Sequence, residues 1–160
     1  EMHPRDGRLR FLLGSLLAAG QAWAEAEREM AEAARLEPAL HIAHFQLGSM
    51  RMTSGDGPGA LAAWAPLSEL PESDPLHCFA RGCAALVQDD FAEAEHWLQL
   101  GLERNAGNLP LNGDMSLLLA RLREARAGAA SPATPGTSAA EAHLLVHGYQ
   151  DVLAEPGPRH

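Results

Sequence analysis

The sequence predicts an all-α protein built from stacked pairs of helices. Identical residues recur 34 positions apart in three columns, and these are Gly14, Gly48 and Gly82; Ala26, Ala60 and Ala94; and Phe11, Phe45 and Phe79. A constant period of this length indicates a repeat architecture, in which each unit packs on its neighbours. Because 46% of the 160 residues are hydrophobic, the chain has enough apolar side chains to bury a core in such a stack.

Two helices are expected in the first unit. Residues 7–20 carry apolar side chains around most of a helix, which predicts the first one. Over residues 24–36, Ala26, Met30 and Ala33 follow the helical spacing while charged residues face water, which predicts an amphipathic second helix. Pro38 then interrupts the helical hydrogen bonds. Such a helical hairpin must cover its apolar face with another hairpin, and the register predicts three units, at residues 7–40, 41–74 and 75–108.

The end of the stack is expected to need a capping helix. Asp114 is a good N-cap residue after an expected turn at 109–113, so we predict a helix over 114–126. Its apolar stripe would cover the last face of the stack, since a solenoid requires a cap with a polar outer side. A second irregularity is Pro66, which lies inside the second helix of the second unit and predicts a bend near Ala62.

The C-terminal part of the chain changes in character. Residues 127–138 are rich in Gly, Ala, Ser, Thr and Pro and predict a flexible linker. Residues 139–153 predict an amphipathic helix that is too short to be stable alone in water. We therefore expect this tail helix to dock on its own molecule or on a second copy, which would make a homodimer, through Leu145, Tyr149 and Val152.

Composition and charge exclude several classes of partner. The formal net charge of −9 argues against nucleic acid and anionic membranes, because both require a basic surface. No apolar run is long enough to predict membrane insertion, and no segment resembles a signal peptide. Two cysteines, Cys78 and Cys83, do not make a disulfide framework, so we expect a cytoplasmic protein, although the native chain can extend beyond Glu1. The absence of Lys suggests a GC-rich, bacterial coding sequence.

The sequence contains few features that would indicate an enzyme. The chain lacks a phosphate-binding glycine loop and the common catalytic motifs, so no catalytic residue and no cofactor is expected. Two histidine pairs, His41 with His44 and His143 with His147, could each share a helical face and bind a metal. Without a third ligand at suitable spacing, ordinary positions on an amphipathic helix are the preferred interpretation, and we expect no metal.

The units resemble the tetratricopeptide repeat (TPR) family. In the first unit Leu13-Gly14, Trp23, Ala26, Met30, Ala33 and Pro38 fill the positions of that family's 34-residue pattern. The second unit departs from the pattern at Gly57 and Glu72, and the third departs at Arg81 and Ala106. This resemblance covers about two thirds of the chain. It implies a right-handed α-solenoid of antiparallel helix pairs.

The resemblance also implies a binding site, because first helices line the concave groove in this family. The corresponding residues here are Arg8, Phe11, Ser15, Ile42, Phe45, Ser49, Met52, Leu76, Phe79, Cys83 and Leu86. Since most of them are apolar, the predicted ligand is an extended apolar peptide or the apolar face of a helix. The alternative for each Phe is packing between helices without contact to a ligand, and for Cys83 the role of a small buried apolar residue.

These observations predict a non-enzymatic module for protein–protein interaction, acting as an adaptor or a chaperone. Its architecture is similar to that of the bacterial type III secretion chaperones for translocator proteins. On this hypothesis the tail helix competes with the partner for the groove. The alternative function is an assembly arm of a larger multi-domain protein or secretion complex, whose other parts lie outside these 160 residues.

Overall fold

The computed structural model describes residues 5–128, and this part of the chain is helical without a strand. It contains seven packed α-helices and one 3-10 helix, Ala65–Glu69, that follows α4. The α-helices are α1 Gly7–Ala19, α2 Trp23–Leu36, α3 His41–Thr53, α4 Gly57–Trp64, α5 Pro75–Val87, α6 Phe91–Arg104 and α7 Leu109–Gly128. The all-α prediction is therefore confirmed for these residues, and the architecture is compatible with a helical repeat.

Helix boundaries follow the 34-residue register of the sequence. The helices α1, α3, α5 and α7 begin at Gly7, His41, Pro75 and Leu109, which are each 34 positions apart, and α2, α4 and α6 keep the same spacing. The turn inside each helix pair also repeats. Gln21, Gly55 and Asp89 occupy equivalent positions there, and all three have a left-handed backbone with φ of 63°, 86° and 58°.

Contacts between the two helices of a pair repeat in the same register. A large side chain of the second helix lies against a glycine of the first, and the pairs are Met30 with Gly14, Trp64 with Gly48 and Leu98 with Gly82. A side chain on Gly48 or Gly82 would overlap its partner, and one on Gly14 would make a tight contact with Met30, so glycine is what lets the helices approach. The alanines at 26, 60 and 94 are fully buried in this contact.

The helix pairs are stacked in chain order. The second helix α2 packs on α3, α5 packs on both α3 and α4, and α7 packs on α6. One large apolar cluster runs through α3 to α7, whereas two small clusters around Met30 and Ala33 join α1 and α2 to the second pair.

Pro66 interrupts the second helix of the second unit. The α-helix ends at Trp64, two residues beyond the predicted bend at Ala62, and the chain continues as the 3-10 helix with Pro66 in its first turn. Proline has no N–H to continue the α-helical ladder, which accounts for the change of helix type. Leu67 on the 3-10 helix is nevertheless fully buried, so this segment still contributes to the core.

The helix predicted at 114–126 differs from the one observed. Helix α7 begins at Leu109, so residues 109–113 are not a turn and Asp114 is not an N-cap but a buried residue of the second turn. Asn108 acts at the start of the helix instead, because its Oδ1 accepts the N–H of Leu111 at 3.1 Å. The predicted apolar stripe is present, with Met115, Leu119 and Leu122 buried.

The predicted linker and tail fall mainly beyond this region. Residues 127 and 128, placed in the linker by the sequence pattern, belong to the last turn of α7. The rest of the linker, 129–138, and the predicted tail helix, 139–153 with Leu145, Tyr149 and Val152, lie outside the described residues.

Candidate functional site

The groove predicted from the sequence corresponds to one continuous helical face on α3 and α5. Its residues on each helix are three or four positions apart, which is the spacing of a single helical face. The rings of Phe45 on α3 and Phe79 on α5 lie 6.4 Å apart between centroids, so the two faces meet there. We call this surface the groove face, and it consists of Ile42, Phe45, Ser49, Met52, Leu76, Phe79, Cys83 and Leu86.

The centre of the groove face is closed. Phe45, Phe79 and Cys83 are 1%, 0% and 0% exposed, so they are core residues and not the open aromatic strip that the sequence predicted. Phe79 packs against the backbone of Gly101 on α6, where a Cβ would lie 2.5 Å from its ring. Because Gly101 has no side chain, there is space for this ring between the two helices of its own pair.

Burial also determines the chemistry of Cys83. Desolvation raises the pKa of its thiol to about 12, because a thiolate would be placed in an apolar core. The thiol therefore stays protonated near neutral pH and has no access to a reactant. Cys83 is a small apolar core residue, which is the alternative that the sequence favoured.

Two serines of the predicted groove are already hydrogen-bonded. The Ser15 hydroxyl donates to the Phe11 carbonyl at 3.0 Å, and the Ser49 hydroxyl donates to the Phe45 carbonyl at the same distance. Both bonds run back by one helical turn within the same helix. These hydroxyls satisfy the local backbone and do not project toward a ligand.

The α1 part of the predicted groove differs from the α3 and α5 parts. Arg8 is exposed and its Nε forms an ion pair with Glu37 at 3.2 Å. Phe11 is half-buried and packs on both of the small apolar clusters that join α1 to the second helix pair. The side chain of Phe11 therefore contributes to stacking as much as to any surface.

Accessible apolar atoms remain at the rim of the groove face. Four aliphatic side chains of this face are half-buried and pack on the main core, and these are Ile42, Met52, Leu76 and Leu86. Their outer surfaces are the part of the predicted site that a ligand can contact. In place of the predicted open aromatic groove, the structure has buried aromatic rings bordered by half-buried aliphatic side chains.

The 34-residue register assigns two residues of α7 to positions equivalent to this face, and the sequence reasoning missed them. Leu117 occupies the repeat position of Ser49 and Cys83 and is 39% exposed. Arg121, one helical turn further on, has a buried Nε without a hydrogen-bond partner among the described residues. Continuing the 34-residue register past 108 would have identified both, because it places the start of a fourth first helix at Leu109. The expected turn at 109–113 concealed this.

A separate polar and aromatic cluster surrounds Trp97 on α6. The Arg81 guanidinium lies 4.1 Å from the centre of the Trp97 ring, and the indole N–H donates to Glu93 at 2.6 Å. His77 packs edge-on against the same ring at 5.8 Å and is buried. Both nitrogens of His77 lack a hydrogen-bond partner in the described part of the chain. No pattern in the sequence marks this cluster.

Residues 5–128 contain neither a grouped set of metal ligands nor a helix suited to cross a membrane. In that region no three His, Cys, Asp or Glu side chains are grouped so as to hold a metal ion. His44 of the first histidine pair instead lies 3.1 Å from the Pro38 carbonyl, and the second pair is outside the region. None of the helices described has the length and apolar character that crossing a bilayer requires.

The fold identifies a structural class, that of all-helical proteins with repeated helix packing, and does not identify a family. Residues 5–128 form an all-helical protein of packed helices whose boundaries and packing repeat every 34 residues. No family model matches the chain, and no curated protein matches it.

Proposed function

We propose that this chain is a non-enzymatic protein-interaction module of the TPR type, which binds an apolar peptide or the apolar side of an amphipathic helix on the groove face. The observation that carries the proposal is the repetition of structure at 34 residues. Helix starts, left-handed turns and glycine contacts all recur at equivalent positions. A right-handed solenoid of antiparallel pairs accounts for all three, and such stacks present their first helices side by side as a binding surface.

The chemistry of the accessible rim favours an apolar ligand. Half-buried aliphatic side chains border the face on α3 and α5, and Leu117 and Arg121 continue it on α7. Burial of such a rim by a ligand is favourable at about 25 cal/mol per Å² of apolar surface removed from water. Arg121 adds one cation at the α7 edge, which suits a ligand with a carboxylate or a backbone carbonyl at that end.

Peptide binding measured on structure-guided variants tests this function. A displayed library of 16-residue peptides is selected against the immobilised full chain, and the affinity of a selected peptide is measured by fluorescence anisotropy. We expect Leu76→Ala and Leu117→Ala each to weaken binding about tenfold, since truncating an interface anchor typically costs more than 1 kcal/mol. Variants of Phe45 and Phe79 are unsuitable, because both rings are core residues.

Phe91 provides the matched control for this measurement. It is 45% exposed and apolar, but it lies at the start of a second helix, α6, away from the groove face. Phe91→Ala should leave the affinity unchanged. If the control weakens binding as much as Leu76→Ala and Leu117→Ala do, the groove face is not the site of recognition.

A further inference from the structure

Helix α1 carries an apolar face that is open to solvent. Leu9, Leu12 and Leu16 are 42%, 51% and 55% exposed, although leucine is usually buried. They are three and four positions apart, so they form one stripe along the helix. This stripe, which we call the α1 face, is distinct from the groove face.

The 34-residue register identifies the residues of later helices that are equivalent to the α1 face. The residues equivalent to Leu9 and Leu12 in the later first helices are all buried, and the residues equivalent to Leu16 are half-buried. In the order of these three leucines they are Ala43, His77 and Leu111; Gln46, Ala80 and Asp114; and Met50, Ala84 and Leu118. Their burial is inherent in the stack, since every unit after the first packs on the helix pair that precedes it.

Direct contacts identify the covering element in the second unit. Ala43 forms one apolar cluster with Ala33 and Ala34 of α2, and Met50 packs against a cluster that includes Met30 of the same helix. A second helix therefore covers these positions in α3. The α1 face is the same stacking surface, but no helix within residues 5–128 covers it, and it is built from larger apolar side chains than its counterpart in α3.

We propose that the α1 face is the docking site for residues 139–153 of a second copy of this chain. The sequence of this segment predicts an amphipathic helix with Leu145, Tyr149 and Val152 on its apolar side. Its 15 residues match the 13 residues of α1, so one helix would cover the other along its length. The apolar stripe of the segment would thereby take the place of a preceding second helix.

The charges of these two segments are compatible with the pairing. Helix α1 carries Arg8 and Arg10 and no acidic residue, and these arginines form ion pairs with Glu37 and Glu29. Residues 139–153 carry Glu141 and Asp151 and no arginine. The docked segment would therefore not place its carboxylates against a carboxylate of α1 itself.

The length of the connecting segment favours docking on a second copy. Helix α7 ends at Gly128, and α1 lies at the other end of the stack, on the far side of α3 and α5. Four helix-to-helix steps from α7 to a segment placed on α1 amount to about 36 Å at a usual spacing of about 9 Å. The connection from 128 to 139 spans at most about 36–40 Å, and only when fully extended. Because such extension is entropically costly, exchange between two copies is favoured.

The test uses the full chain and introduces one charge on each side of the proposed contact. Multi-angle light scattering gives the mass in solution, and hydrogen exchange followed by mass spectrometry gives the protection of residues 139–153. We expect a dimer with a protected 139–153 segment in the wild type. Leu12→Glu and Leu145→Glu should each yield a monomer in which the protection of this segment falls at least tenfold.

Leu109→Glu is the matched control for these variants. Leu109 is 71% exposed and lies in the first turn of α7, so the change adds the same charge away from the α1 face. It should leave both mass and protection as in the wild type. The proposal is overturned by a wild-type monomer at all concentrations, by an unprotected 139–153 segment, or by a dimer that Leu12→Glu leaves intact.

The result of the dimer test does not depend on whether the groove face binds a peptide. Peptide binding at Leu76 and Leu117 can fail while the dimer persists, which would reject the proposed function alone. Conversely, Leu12→Glu can leave a monomer that still binds the selected peptide with wild-type affinity. The two measurements therefore separate the two surfaces.

Discussion

Among single residues, Asp114 departs most from its usual environment. It is 7% exposed on the side of α7 that occupies a stacking position, equivalent to Gln46 and Ala80. Burial raises the pKa of its carboxyl group from 3.8 to about 6, because the charged form is penalised in the core. The sequence indicated an N-cap here, since aspartate before an apolar stripe is a common helix start.

This shifted pKa predicts an unusual pH dependence of stability. The folded-state pKa lies above the unfolded one, so the unfolded chain releases the proton more readily, and stability falls as the pH rises from about 4 to about 6. The penalty amounts to about 3 kcal/mol at pH 7.5, falls below about 1 kcal/mol at pH 4, and disappears below about pH 3, where both states are protonated. Asp114→Asn should therefore stabilise the protein at pH 7.5 and have little effect at pH 4.

Urea unfolding at several pH values measures this effect. The control is Glu124→Gln, which neutralises an exposed carboxylate on the same helix and should change stability little at any pH. A difference between Asp114→Asn and the wild type that stays constant from pH 4 to pH 7.5 would contradict the assignment.

At the scale of single helices, side-chain N-caps recur every 34 residues, but some equivalent positions lack one. Asp56 and Asp90 cap α4 and α6 by accepting the N–H groups of Gly59 at 2.9 Å and Glu93 at 3.2 Å. Ala22 holds the equivalent position before α2, and no side chain caps that helix. The backbone of Ala22, with φ −82° and ψ 66°, is close to that of Asp56, with φ −88° and ψ 74°.

Ala22→Asp should stabilise the protein by about 1 kcal/mol, because the geometry needed for the missing cap is already present. Thermal and urea unfolding measure the gain. Ala22→Asn separates the hydrogen bond from the negative charge at the helix start, and it should give a similar increase if the cap acts through the hydrogen bond. Unchanged stability in both variants would show that the turn before α2 does not tolerate the cap.

The sequence could predict the helices better than the surface between them. Glycine, alanine and phenylalanine columns reveal the period directly, and the period alone places Gly7, His41 and Pro75 at helix starts. Burial of Phe79 could not be predicted in this way, since it depends on the space left by Gly101 on another helix. The start of α7 was missed because local turn residues outweighed the register, although the register extends to Leu109.

At the scale of the whole molecule, the core is distributed unevenly along the stack. The large cluster includes Phe45, Trp64, Phe79 and Leu98, whereas the apolar contacts that join α1 and α2 to the second pair form two small clusters. In a stack of repeats, stability is approximately a sum of the units and of the contacts between neighbours. The first helix pair should therefore open at a lower free energy than the third.

Met30 and Leu98 allow this to be tested at equivalent positions. Each is about 1% exposed or less and lies against the glycine of its own helix pair. Replacing either with alanine removes a similar volume and should cost about 2–5 kcal/mol in the contact it disrupts. Met30→Ala should increase hydrogen exchange in α1 and α2 and leave α5 and α6 protected, because the large cluster remains intact without the first pair.

Leu98→Ala should behave differently, since its side chain belongs to the cluster that spans α3 to α7. We expect faster exchange throughout these helices and a lower urea midpoint for the main unfolding transition. Equal loss of protection across all seven helices in both variants would instead mean that the stack unfolds as one cooperative unit. The unequal response follows from the contacts within residues 5–128, where the first helix pair packs on one other pair and the opposite face of α1 is open.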